Sequence, residues 1–434
     1  MLATPHFAAD QDHVDGGRRS ILGNFRSVFI GRLFSSLSMW LALMLLAKLS
    51  DPMTVGIYAL AQALCIPIGE VAKMGLREIH SSSTSGPYLF GNYLALRLVA
   101  AGVALVLMVA SGILQSNSAV VIWVVVLYAL TRCMELVSDM VHGLFQAHER
   151  MNYIGRSLCL LGPLSLLFLS AGYWATGSLV VAVFGQFLAQ LLVLAFYDVP
   201  MGRRCAKLRS LETVRPIWDR GALQGLALQA LPLAFATVLV MIAVYLPRLV
   251  VESALGLSAL GLFAALTALS MSPNRVVNSM GIAVSVRLAH YHAAGNRAGF
   301  VGLLGRFVLG VAAFGTLAVA IAAAFGDVIL GLVYTTEFAA QGNLFVWLIG
   351  AATLRCIADV LKFGMVASRR FWWLAAQYAV VALVAVLTSF TLIPRLALTG
   401  AGIAMCLIFA SHLIVVTLGL LYNLPRTRQS DAVV

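Results

Sequence analysis

Charge is what this sequence is short of. Only 11% of its 434 residues are Asp, Glu, Lys or Arg, against 61% from the apolar and aromatic set. A water-soluble chain carries about a quarter charged residues and about half apolar ones. A body of this size cannot hide so many apolar side chains, so much of the surface must face lipid. That excludes a cytosolic enzyme, a secreted disulfide module and a disordered chain. Acidic residues are the scarcer sign, 17 against 29 Lys and Arg, for a net charge of +12. The six cysteines, Cys65, Cys133, Cys159, Cys205, Cys356 and Cys406, have no CxxC spacing and no metal-type histidine pattern around them. They read as small buried hydrophobes, and no metal site is expected. There is no GxxxxGK[ST] run, so the chain has no P-loop of its own, and no cofactor is implied. The first 26 residues are polar, with Asp10, Asp12, Asp15, Arg18 and Arg19, so no cleavable secretory signal is expected.

Long apolar runs are what is there. A bilayer core takes about 20 apolar residues per helix. Twelve stretches qualify, near 27–49, 55–78, 88–113, 119–146, 157–174, 178–197, 223–248, 256–286, 299–325, 338–366, 371–393 and 399–422. The segment Asp327–Tyr334 reads as a short helix ahead of the tenth span. With the N-terminus inside, 19 basic residues fall in cytoplasmic segments, three (Lys48, Arg248, Arg395) outside and seven within spans. That asymmetry predicts cytoplasmic termini. The outer loops 249–255, 326–337 and 394–398 are too short to fold as domains. The inner connection 198–222 carries six basic residues and reads as a linker resting on anionic headgroups. The expected organisation is all-α: a tail over 1–26, an N-lobe of six spans over 27–197, the linker, a C-lobe of six spans over 223–422 and a tail over 423–434.

The halves repeat. Gly56-Ile-Tyr-Ala-Leu-Ala-Gln-Ala-Leu64 parallels Gly261-Leu-Phe-Ala-Ala-Leu-Thr-Ala-Leu269 at an offset of 205, and Leu46-Ala-Lys48-Leu parallels Leu246-Pro-Arg248-Leu. Thr131-Arg132-Cys133-Met in the fourth span parallels Leu354-Arg355-Cys356-Ile in the tenth. Each half has an even number of spans, so the repeat axis runs along the membrane normal. Transporters often build substrate sites where such halves meet.

Eleven ionisable residues fall within spans: Arg32, Glu70, Arg97, Arg132, Glu135, Asp139, Arg275, Arg306, Arg355, Asp359 and Lys362. Such groups normally face a bundle interior or a wet cavity. Arg132, Glu135 and Asp139 share one face of the fourth span; Arg355, Asp359 and Lys362 share one face of the tenth. Glu70 and Arg275 occupy equivalent positions with opposite charge. Some of these groups also read as structural pairs, Arg132–Glu135, Arg355–Asp359 and Asp359–Lys362. Arg32, Arg97 and Arg306 lie near span ends and also read as snorkelling to headgroups. Seven cations still outnumber four anions, so at least three need headgroups, water or an anionic ligand. A guanidinium fork suits phosphate. The seven cations are therefore the expected anion-binding set, and Glu70, Glu135, Asp139 and Asp359 the ion-coupling or pairing set. Prolines 67, 163, 232, 247 and 273 fall in or near spans and permit bends. His142, His148, His290 and His292 sit at cytoplasmic span ends, where they are expected to meet water.

Three segments resemble the polysaccharide-export branch of the MOP (multidrug/oligosaccharidyl-lipid/polysaccharide) flippases. They are Gly56-Ile-Tyr-Ala-Leu-Ala, Asp139-Met-Val-His-Gly-Leu-Phe-Gln-Ala-His-Glu-Arg-Met151 and Arg287-Leu-Ala-His-Tyr-His-Ala-Ala-Gly295. The resemblance implies a MATE/MOP-like fold and a Wzx-like flippase, not an enzyme, in the bacterial inner membrane. It would move polyprenyl-pyrophosphate-linked oligosaccharide outward by alternating access, driven by an ion gradient or the membrane potential. Implied partners are that lipid, membrane lipids, and the polymerase and glycosyltransferases of the pathway; no nucleic acid is implied. The alternatives are an ion-coupled multidrug exporter of the same superfamily, which should show a negative cavity, and a membrane enzyme, which should show a catalytic cluster and a long outer loop.

Overall fold

The computed structural model describes residues 21–82, 88–207, 214–367 and 371–422. Its helices follow the apolar runs. The first half contains α1 (Ile21–Leu49), α2 (Pro52–Lys73), α3 (Leu76–Ser82), α4 (Phe90–Gln115), α5 (Ala119–Ala147), α6 (Met151–Thr176), α7 (Leu179–Val193), a π turn (Leu194–Asp198) and α8 (Val199–Ala206). The second contains α9 (Arg220–Leu255), α10 (Leu257–Ser270), α11 (Pro273–Ala293), α12 (Arg297–Val333), α13 (Thr336–Ala339), α14 (Gly342–Ala367) and α15 (Phe371–Tyr422). There is no strand among the described residues. Among the described residues eleven helices are long and apolar enough to span a bilayer. The last of these is broken at Ala397, whose φ of 52° and ψ of −138° are not helical. At 52 residues α15 would reach about two and a half times the thickness of a bilayer core. It therefore makes two spans, near the eleventh and twelfth stretches expected.

Three boundaries differ from the sequence reading. Asp327–Val333 continues α12 and is no separate helix, because nothing between Phe325 and Val333 breaks the helix; the short helix is Thr336–Ala339. The second span ends at Lys73, where Met74 and Gly75 take positive φ (50° and 62°) before α3 starts. The eighth span splits at Met271–Ser272, and Pro273 opens α11, where its missing N–H costs nothing.

Helices α1, α2 and α4–α7 pack among themselves, as do α9, α11, α12, α14 and α15, and α10 bridges onto α2. The bridge is built from the repeat. Along α2, Val55 to Cys65 is buried without interruption; on α10, Leu260, Gly261 and Phe263–Thr267 are buried. The two equivalent glycines face each other across the axis. A Cβ on Gly56 would overlap the Leu257 carbonyl, and one on Gly261 would overlap the Pro52 carbonyl. Only glycine permits this backbone approach. Gln115 Nε2 donates to Glu252 at 2.5 Å across the same end of the molecule.

The core explains the shape. One continuous cluster, running from Leu43, Val55 and Leu60 through Leu260 and Phe263 to Phe338 and Ile408, joins both lobes at the end where α2 and α10 begin. At the opposite end the core divides into two clusters, the first of which also takes in Leu226 and Ala230 of α9. Leu76, Phe90, Met140 and Phe145 anchor one; Leu288, Phe300, Val360 and Val416 anchor the other. The lobes thus share a continuous core at one end, while at the other only the start of α9 packs against the first half. The connection between them is tied to the first lobe, with Ile217 N–H donating to the Gly91 carbonyl at 2.9 Å and Asn92 Nδ2 to the Ile217 carbonyl at 3.4 Å.

Candidate functional site: charged clusters and the cavities between the lobes

In the N-lobe, the charged face of α5 meets the end of α2. Arg132 bonds Glu135 one turn on, and its Nη2 donates to Glu70 Oε1 at 2.9 Å. Lys73 Nζ donates to Glu70 at 2.7 Å and lies 3.7 Å from Glu135. Gly69 makes room for this, since a Cβ there would stand 3.3 Å from Arg132 Nε. One turn further, Asp139 is shared by Arg77 at 3.2 Å and Arg97 at 3.1 Å. Arg97 is fully buried, donates also to the Ala72 carbonyl at 3.4 Å, and has no access to a ligand.

In the C-lobe, Asp359 is buried on α14. Lys362 Nζ lies 2.6 Å from it, Arg355 Nε 3.8 Å, and Asn274 Nδ2 of α11 donates at 3.1 Å. Arg355 sits over the Phe409 ring, 5.3 Å from its centroid. Arg275 of α11 lies within electrostatic range of Arg355 and Tyr245. Arg306 is exposed on α12 and lines none of the cavities described next.

A polar cavity of about 460 Å³ opens on the inner face of the N-lobe. Arg32, Lys73, Arg77 and Arg132 line it, and so do Glu70, Glu135, Asp139 and Asp198. Among the described residues its lining therefore carries as many carboxylates as Lys and Arg side chains. A second cavity of about 660 Å³ separates α1 from α10 and α11. Arg32 and Arg275 stand on its opposite walls with Ser35, Ser36, Ser272 and Asn278, and among the described residues no carboxylate lines it. Its remaining lining is apolar: Phe29, Leu33, Leu37, Trp40, Leu158, Leu269, Pro273 and Val276. Arg32 lines both cavities, so they adjoin, and it has no carboxylate within ion-pair distance among the described residues. A third cavity of about 600 Å³, between α2, α4 and α9, is apolar except for Tyr245, which it shares with the polar cavity.

The structure thus gathers Arg32, Glu70, Arg132, Glu135 and Asp139 around one cavity, and Arg275 joins Arg32 at the next. It sets Arg97 behind the wall and Arg306 apart. Sequence reasoning missed Lys73 and Arg77, which it counted as cytoplasmic ends; the i,i+3 spacing of Glu70 and Lys73 was the available signal. It also misread His142, which is buried, with Nε2 3.2 Å from Ser157 Oγ and 3.4 Å from Asp198 Oδ1. Among the described residues no group of three His, Cys, Asp or Glu could hold a metal ion. All six cysteines are free, and Cys65, Cys133, Cys205 and Cys356 are buried.

Residues 76–286 match the family described as "Polysaccharide biosynthesis protein". The chain is 20% identical over 383 residues to the capsular polysaccharide biosynthesis protein CapF of Staphylococcus aureus, covering 88% of this chain and 94% of that one. Among solved structures it is similar to the lipid II flippase MurJ, with a TM-score of 0.75 at 10% identity over 91% of this chain and 87% of that one. It is also similar to a MOP superfamily transporter from Pyrococcus furiosus described as having a binding pocket of reversed polarity. There the TM-score is 0.54 at 13% identity, over 93% and 94% of the chains.

Proposed function

From a chain that has the MOP-superfamily fold, and that carries the polysaccharide biosynthesis match over 76–286, we propose a flippase for a polyprenyl-diphosphate-linked oligosaccharide. It moves this lipid from the inner to the outer leaflet of the bacterial cytoplasmic membrane by alternating access, with both termini cytoplasmic. The observation that carries the reading is the cavity between α1 and α11. Two guanidinium groups, Arg32 and Arg275, face a space bordered by apolar side chains, with no carboxylate in its described lining. That is the shape of an amphiphile with a doubly charged head. Guanidinium forks bind diphosphate oxygens in pairs, and low dielectric strengthens the contact. The apolar wall suits the prenyl chain.

Among the described residues Arg77, Arg150, Arg203, Arg204, Arg287 and Arg297 flank the two clusters at the end where the core divides, which on the proposed orientation opens the cavities to the cytoplasm. The mixed cations and carboxylates in the described lining of the polar cavity fit a glycan, a neutral polyhydroxylated group that needs both donors and acceptors. A cationic drug would meet repulsion from Arg32 and Arg275, which counts against the multidrug reading. The paired cations Arg97 and Arg132 serve the wall more than the ligand. The test replaces Arg32 and Arg275 by Ala, singly and together. Surface polysaccharide should fall at least about tenfold in the double variant, the loss of one charge-assisted bond of about 1.5–3 kcal/mol at each site, with membrane protein level unchanged. Normal surface polysaccharide in the double variant refutes the headgroup site.

A further inference from the structure

The transport reading leaves one buried ion pair without a role. Asp198 is the last residue of the π turn that joins α7 to α8. Its side chain is 1% exposed, and neither carboxylate oxygen has a hydrogen-bond partner. Among the described residues the one cationic group within ion-pair distance is His142 Nε2, at 3.4 Å, itself 9% exposed and 3.2 Å from Ser157 Oγ. The π turn puts Asp198 where it is. A plain α-helix would rotate Asp198 well away from Gln190, eight residues earlier. The wider turn delays that rotation, and both residues line the polar cavity. Gln190 Nε2 donates to Ser138 Oγ at 3.2 Å, and one turn earlier Gln186 accepts from Tyr58 Oη at 3.1 Å. Polar side chains therefore follow one face of α7 from the end with the continuous core to Asp198.

We infer that His142 and Asp198 form the proton-carrying site that couples flipping to the proton gradient. The inference rests on the transport function proposed above. The other intramembrane carboxylates are ill suited to the task. Glu70 is held by Lys73 and Arg132, Asp139 by Arg77 and Arg97, and Asp359 by Lys362 and Asn274. Each is thus engaged by at least two partners. Asp198 has only an imidazole, the side chain whose charge changes near neutral pH. With one proton the pair is net neutral, either as imidazolium and carboxylate or as imidazole and carboxylic acid. Without it, a carboxylate stands buried beside a neutral ring, at a cost of several kcal/mol. Opening of the lobe's inner end brings the pair into contact with water, where the proton is exchanged. Asp139 acts on His142 electrostatically but is already doubly paired. Tyr153 and Arg156 of α6 and Tyr197 on the π turn are the other titratable groups around the pair; Arg156 is exposed. No bond to the substrate forms or breaks. One proton binds from the outer side and leaves to the inner side as the lipid moves outward.

The test uses the full-length protein purified in detergent. Infrared difference spectra taken between about pH 6 and about pH 8, the range in which imidazole titrates, report carboxyl and imidazole protonation without substrate. The wild type should show a buried-carboxyl and imidazole change that is missing from both Asp198→Asn and His142→Gln. Spectra from both variants identical to the wild type overturn the site, as does a wild-type signal that follows sodium at fixed pH and not protons. The second arm measures the affinity for undecaprenyl diphosphate over the same range. The lipid's own phosphate titrates equally for every protein, so the difference between wild type and Asp198→Asn isolates the site. Coupling between two sites is reciprocal and is commonly worth fivefold or more. The ratio of affinities at the two pH values should therefore differ by about fivefold or more between the two proteins; equal ratios overturn the coupling. Should wild type fail to bind undecaprenyl diphosphate at either pH, the proposed substrate class falls, and the infrared arm still decides the proton site.

Discussion

The contact between Gly56 and Gly261 lets the equilibrium between access states be shifted by a single methyl group. A Cβ on Gly261 would stand 2.8 Å from Gly56 N and closer still to the Pro52 carbonyl; one on Gly56 would stand 3.3 Å from Gly261 N and overlap the Leu257 carbonyl. These are backbone atoms, so no side-chain rotation relieves the clash. Carbon reaches its best separation at about 3.5–4.0 Å, so relieving the overlap with the Pro52 and Leu257 carbonyls requires α2 and α10 to part by about 1.5 Å or more. Overpacking of this kind costs about 1–3 kcal/mol. The cost falls on the state in which the two helices touch and spares the state in which they are apart. Gly56→Ala or Gly261→Ala should therefore shift the ratio of the two states by about 5-fold to 150-fold. The assay is labelling of a cysteine placed at Thr54, in a background with the six native cysteines replaced by Ala, using a membrane-impermeant maleimide. Thr54 lies in the first turn of α2, beside the crossing. Labelling should rise severalfold in either alanine variant, and surface polysaccharide should fall. Unchanged labelling with normal protein level would refute the idea that this crossing governs the closed end.

Two further outcomes follow from the same structure. Arg97→Met strips the fully buried guanidinium from Asp139, which keeps Arg77, so the loss should sit near the low end of the roughly 3–5 kcal/mol for a broken buried pair. The variant should lose thermal resistance in detergent, and adding Asp139→Asn should restore much of it; a stable Arg97→Met that still loses surface polysaccharide would make Arg97 a ligand contact. Alkaline phosphatase fused after Val434 should be inactive and a green fluorescent reporter there bright, and the reverse pattern would invert the assigned orientation.

Several features of the fold could be read from residues alone because they are local. A run of about 20 apolar residues makes a span wherever it lies, and the backbone has to satisfy its own hydrogen bonds in lipid. The triads Arg132–Glu135–Asp139 and Arg355–Asp359–Lys362 share a face because helical spacing puts them there. The repeat at 56–64 and 261–269 predicts two related halves, and its glycines sit where α2 and α10 touch.

What a helix faces is a different matter, since nothing in its own sequence names its neighbour. Glu70 and Arg275, equivalent by sequence, stand in unlike places, one in a cation-rich network and the other on the wall of a cavity with no carboxylate in its described lining. Arg97 counted as a spare cation until packing set it against Asp139. Lys73 and Arg77 looked cytoplasmic, and His142 looked wet, until neighbouring helices closed over them. Sequence determined how many positive charges lie within the spans and on which helical faces. Tertiary packing alone decided which of them a carboxylate neutralises, because ion pairing depends on a few ångströms between helices that lie far apart along the chain.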